Sequence, residues 1–172
     1  MHSWLPSTSA WLRSVDKDQV ESLYLPGALA ALEQFPVEPQ RVRLVKQSEN
    51  VTFRVTSRDS ESDYVLRLHR PSYNSIEELN SERTWTRALH EAGIAVPDSL
   101  KTNQGDYFTL VDIPGTGEQR WTGLTTWIEG APLADYLEEG WTQAERARAF
   151  RWIGEMIARM HNQSTNWQAP PG

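Results

Sequence analysis

Cysteine is missing altogether from the 172 residues. That removes disulfide scaffolds, cysteine nucleophiles and thiolate metal sites together, and it fits a reducing compartment. Positive charge is short as well: 17 Lys and Arg stand against 23 Asp and Glu, a net charge of −6. Nucleic acid demands clustered Lys and Arg to replace its counterions, so that class of partner is disfavoured. No apolar run reaches the ~20 residues of a membrane-spanning helix. The N-terminus also lacks the basic start and continuous apolar stretch of a secretory signal. The expectation is a cytoplasmic protein with no membrane partner.

What is present is enough for a core. An apolar fraction of 38%, including 8 Trp, supplies burial that can offset the entropy of ordering a chain. Residues 16–35 read as helical pieces, and Pro26-Gly27 is expected to divide them because Pro withdraws a donor and Gly loosens the backbone. Three alternating runs follow, from Arg41, Val51 and Tyr64, with hairpin-length gaps that favour antiparallel pairing. Ser75 with Glu78 forms a capping-box pattern ahead of a helix carrying Ile76, Leu79, Trp85 and Leu89 at helical spacing. Two more strand-like runs, residues 107–113 and 121–128, flank the turn-rich Pro114-Gly115-Thr116-Gly117. Thr142 with Glu145 opens a last helix with Phe150, Ile153, Ile157 and Met160 as its apolar stripe. The class is α+β.

Two charges stand in apolar company. Arg67 lies between Leu66 and Leu68 but points to the other face of its strand, and Glu82 sits at three-residue spacing from Leu79 and Trp85. A carboxylate inside an apolar stripe is costly unless a cation meets it, so the two are expected to be buried and paired. His69 and His161 are expected to pack or cap, since the four histidines show no metal-ligand spacing. No metal site is expected on this chain.

A strand cation next to a helix acid resembles the small lobe of a kinase. The stretches Ser48-Glu49-Asn50-Val51-Thr52-Phe53 and Tyr64-Val65-Leu66-Arg67-Leu68-His69-Arg70-Pro71 are similar to the aminoglycoside phosphotransferase and type II homoserine kinase superfamily. So are Ser81-Glu82-Arg83-Thr84-Trp85, Gly93-Ile94-Ala95-Val96-Pro97, Thr125-Thr126-Trp127-Ile128-Glu129-Gly130 and Ile157-Ala158-Arg159-Met160-His161. No one motif is decisive, but their order is.

The resemblance implies a kinase-like small lobe: a five-stranded, mostly antiparallel sheet with one packed helix, an N-terminal helical segment and a C-terminal linker helix. It divides the chain into a helical extension (residues 1–39), a nucleotide-binding lobe (40–130), and an interlobe linker with the first helix of an absent large lobe (131–172). It implies ATP as cofactor, with the turn Ser48, Glu49 and Asn50 covering the phosphates and Arg67 gripping them while Glu82 orients it. The backbone of Thr126, Trp127 and Ile128 would meet the adenine edge, with Val51 and Val65 as its apolar roof. The γ-phosphate would pass to a hydroxyl of a small-molecule acceptor.

Departures from the family pattern accompany the likeness. The covering turn has no glycine, so close approach of its backbone rests on Asn50, a residue tolerant of left-handed conformations. Arginine stands where the family has lysine, offering a forked grip in place of a point charge. No His-Gly-Asp sequence occurs, and no Asp follows Asp135. The catalytic base and Mg ligands are therefore expected only in the complete enzyme, and this chain is expected to be inactive alone. A non-catalytic nucleotide- or protein-binding regulatory module is the alternative. The stripe on the last helix is expected to be exposed and to favour self-association.

Overall fold

The computed structural model describes residues 16–133 and 140–169. Helix α1 (Lys17–Leu32) leads into strands β1 (Pro39–Gln47), β2 (Val51–Ser57) and β3 (Tyr64–Leu68). Helix α2 (Ile76–Glu91), strands β4 (Phe108–Ile113) and β5 (Glu118–Thr126), and helix α3 (Gln143–Asn166) follow. The five strands form one sheet in the order β1-β2-β3-β5-β4, every neighbouring pair antiparallel. This is the expected α+β small-lobe architecture.

Alternation along the strands decides which face is which. Phe53, Leu66 and Leu124 stand side by side across β2, β3 and β5, and all three are buried. Helix α1 covers this row, packing Val20, Tyr24, Ala28, Ala31 and Leu32 into the same cluster as Val111 and Ile113 of β4. The segment expected as an extension thus completes the core of the sheet.

Pro26 does not divide α1, contrary to the sequence expectation: one helix runs through it. The carbonyl it leaves without a donor belongs to Ser22, and both Ser22 and Pro26 are exposed, so water can satisfy that group. Burial of Tyr24 and Ala28 on the opposite side holds the helix together. Gly27 has a packing role: a Cβ there would lie 2.6 Å from Ile113 Cδ1 and 3.2 Å from the Asp112 carbonyl oxygen. The missing side chain is what lets α1 come down onto β4.

Both capping boxes are formed. The Glu78 amide donates to Ser75 Oγ at 3.2 Å and the Ser75 amide to Glu78 Oε2 at 2.8 Å. At α3 the Thr142 amide donates to Glu145 Oε2 at 2.8 Å and the Glu145 amide to Thr142 Oγ1 at 3.3 Å. The two helices differ from α1 in burial: α2 buries Leu79 and Leu89, and α3 buries none of its residues. Among the described residues no helix is long and apolar enough to cross a membrane.

Gly27→Val should lower stability by about 1–3 kcal/mol, the usual cost of overpacking a filled core. Urea denaturation with a reduced midpoint would register it, and an unchanged midpoint would show that α1 is not in tight contact with β4.

Candidate functional site

The face of the sheet away from α1 carries a row of four residues in register: Thr52, Arg67, Gly123 and Phe108. Gly123 shapes it. A Cβ at that position would meet Phe108 Cε1 at 2.8 Å, so glycine allows the Phe108 ring to lie against β5. On this face is a hollow of about 320 Å³ lined by Arg67, His69, Glu82, Trp85, Phe108 and Met160, among others.

Arg67 and Glu82 are therefore brought to one hollow, but not as the sequence suggests. Both are exposed, and no ion pair joins them. The apolar spacing around Glu82 misleads because Trp85 is only half-buried and turns its indole N–H to Ser164 Oγ of α3, to which it donates at 3.1 Å. With α2 turned partly toward α3, the carboxylate stands at the rim. Neighbouring Arg83 lies over the Tyr107 ring, 3.6 Å from its centroid, and ties α2 to the start of β4.

The turn between β1 and β2 is held by side chains from the end of β3. The Arg70 amide donates to Asn50 Oδ1 at 3.0 Å, the Arg70 guanidinium pairs with Glu49, and the Ser48 amide donates to the Asn50 carbonyl at 3.0 Å. Among the described non-glycine residues only Ser72 has a positive φ, 58°. Asn50 thus serves through its carboxamide, not through the left-handed backbone expected of it.

Past β5, two of the three expected hinge amides are occupied. The Thr126 amide donates to the Asp98 carbonyl and the Trp127 amide to the Asp63 carbonyl, each at 2.9 Å. Ile128, an exposed residue, is left with a backbone amide that no described residue engages. Val65 is on the open face, opposite Arg54. Val51 is not: it is 1% exposed within the α1 core, so it cannot roof a ligand in the hollow. Strand parity separates the two, since neighbours along β2 point to opposite faces, and Thr52 occupies the open-face position.

Sequence reasoning also missed Arg54, although a charge between Phe53 and Val55 was the available signal. Its guanidinium pairs with Asp63, donates to Glu129 Oε1 at 2.8 Å, and lies over the Trp127 ring 4.3 Å from its centroid. Hydrogen bonding to Asp63, ahead of the attraction from both carboxylates, holds Arg54 more firmly protonated than a free guanidinium. Among the described residues no three His, Asp or Glu side chains gather in a way that could hold a metal ion.

Comparison with known proteins meets this geometry directly. The sequence pattern of the phosphotransferase enzyme family (APH) matches residues 41–172. The chain belongs to that family. Among solved structures, a microcompartment-associated aminopropanol kinase is similar at 29% identity and a TM-score of 0.67, over 86% of this chain and 43% of that one. An amicoumacin kinase, solved with AMP-PNP and Ca2+, is similar in fold at 19% identity and a TM-score of 0.68, over 90% of this chain and 44% of that one. The chain thus spans less than half the length of either structure. No curated protein matches its sequence.

Among the described residues, His69 has a strongly displaced pKa. His69 is 8% exposed and meets the edge of Phe108, ring centroids 5.8 Å apart. Burial, helped by the charge of Arg67, pushes its pKa down from 6.5 to about 4. As pH falls through 6.5 the unfolded imidazole takes up a proton while the folded one stays neutral, so protonation favours unfolding. Stability should be full above pH 6.5, decline by up to about 1.4 kcal/mol per unit, and level off near pH 4 after losing on the order of 2–3 kcal/mol. In His69→Phe that slope should vanish while the acid loss due to carboxylates remains. Parallel melting curves for the two proteins between pH 7 and pH 4 would contradict the assignment.

Proposed function

We propose that this chain is the nucleotide-binding half of an ATP-dependent phosphotransferase that moves the γ-phosphate to a hydroxyl of a small-molecule acceptor. The observation that supports the reading is the placement of Arg67 on the open face, between Thr52 and Gly123, where it lines a hollow of about 320 Å³ that also holds Glu82 in its wall. Arg67 grips the α- and β-phosphates with its fork, and Glu82 faces it from the rim of the hollow as the orienting carboxylate. The turn Ser48-Glu49-Asn50 lies over the phosphates, and the Ile128 amide meets the adenine edge, with Val65 on the same face.

ATP supplies the transferable phosphoryl group. This chain's residues bind and orient it. With no cluster of metal-ligating side chains among the described residues and no Asp beyond Asp135, we assign the base and the Mg ligands to the remainder of a complete enzyme. The structural relatives are about twice as long, which supports this division. The similarity to an aminopropanol kinase favours a small amino alcohol or similar metabolite as acceptor.

A second property follows from α3, where Phe150 and Ile157, two turns apart on one face, are 62% and 46% exposed. We propose that this ridge drives self-association of the chain in solution, as exposed apolar patches of this kind do.

Calorimetric titration with ATP tests the main reading. Arg67→Ala should weaken binding by a factor on the order of 10–100, the worth of a charge-assisted phosphate contact. Equal affinity in the two proteins would remove the phosphate role from Arg67. Sedimentation velocity tests the second: Phe150→Glu should shift a concentration-dependent dimer toward monomer.

A further inference from the structure

Arg54 belongs to none of the roles above, yet its side chain joins segments that lie far apart in sequence. It sits on β2 directly opposite Val65, the residue on the open face nearest the base in the reading above. Its guanidinium reaches three places at once: Asp63 just before β3, Glu129 beyond β5, and the face of Trp127 between them. Asp63 also accepts, through its carbonyl oxygen, the Trp127 amide at 2.9 Å. Trp127 and Glu129 bracket Ile128, the residue whose amide stays uncommitted.

The chain is pinned on both sides of that amide by one side chain. Trp127 is held from below by its backbone bond and from its ring face by the cation, a contact that Trp makes better than other aromatics. Glu129 is 76% exposed and Asp63 16%, so the fork spans from a partly buried anchor to the surface. Arginine suits this because its planar fork can serve two carboxylates while stacking on an indole; lysine cannot do all three.

We infer that Arg54 is a positioning residue for base selection: it fixes the Ile128 amide relative to the sheet and thereby sets preference for adenine over guanine. The inference rests on the nucleotide reading and adds to it a residue that touches neither the phosphates nor the transferred group. An adenine edge offers a ring-nitrogen acceptor to a correctly placed amide donor, whereas guanine presents a ring N–H at the equivalent position. Only a fixed amide discriminates the two. A loosened one accommodates either.

The test uses the chain as it stands, titrated with ATP, GTP and inorganic tripolyphosphate. Arg54→Met keeps the stem and removes the fork. It should cost roughly tenfold in ATP affinity and bring the ATP:GTP ratio toward one, with tripolyphosphate affinity unchanged. Arg54→Lys should restore part of the ratio. Glu129→Gln, at an exposed position that folding does not depend on, should narrow the ratio by a smaller factor. A merely structural role would weaken all three ligands together and leave the ratio alone. If the unaltered chain binds ATP and neither Arg54→Met nor Glu129→Gln changes the ratio, the inference is overturned and the nucleotide reading stands. If the unaltered chain binds no nucleotide, both fall.

Discussion

The packing of α1 against the apolar face of the sheet is the constraint on which everything else depends. Phe53, Leu66 and Leu124 commit one face of β2, β3 and β5 to the core, and alternation then obliges their neighbours to the other. Thr52, Arg67 and Gly123 are on the open face because Phe53, Leu66 and Leu124 are on the closed one. A single step in strand register would bury the guanidinium and expose the phenyl ring, so burial on the α1 side specifies the geometry of the site it does not touch. Gly27 contributes from a distance, by permitting the contact between α1 and β4 that completes this arrangement.

On the open face, side chains do what glycine-rich backbone does elsewhere. The turn after β1 is braced from the end of β3 by Arg70, through its amide to Asn50 and its guanidinium to Glu49. The segment after β5 is braced from β2 by Arg54. Each bracket joins segments distant in sequence but adjacent in the sheet, so forming the strands also places the loops. The hollow on this face is lined by Arg67, His69, Glu82, Trp85 and Phe108, with His69 held neutral by burial.

Strand number, both capping boxes and the position of Arg67 within its strand were legible in the sequence, because each rests on local chemistry: alternation, a Ser or Thr three residues before a Glu, a charge between two leucines. Failures came where a neighbour far along the chain decides. Pro26 is tolerated because its side of α1 faces water, which no window around Pro26 reveals. Glu82 is outward because Trp85 turns to Ser164, 79 residues later. Val51 and Val65 look alike in sequence, yet their pairing partners place them on opposite faces. Arg54 carries no motif, and its meaning depends on Glu129, 75 residues away. Which of the amides from Thr126 to Ile128 stays uncommitted among the described residues depended on Asp63 and Asp98.

Helix α3 is moored at α2 and at the residues just after it: the Trp85 indole donates to Ser164, and the Arg159 guanidinium donates to the Gly93 carbonyl at 2.8 Å. Neither mooring reaches the sheet, and none of the helix's own residues is buried. The long outer helix therefore touches the element bearing Glu82 directly, while the strand bearing Arg67 is held by its neighbours in the sheet.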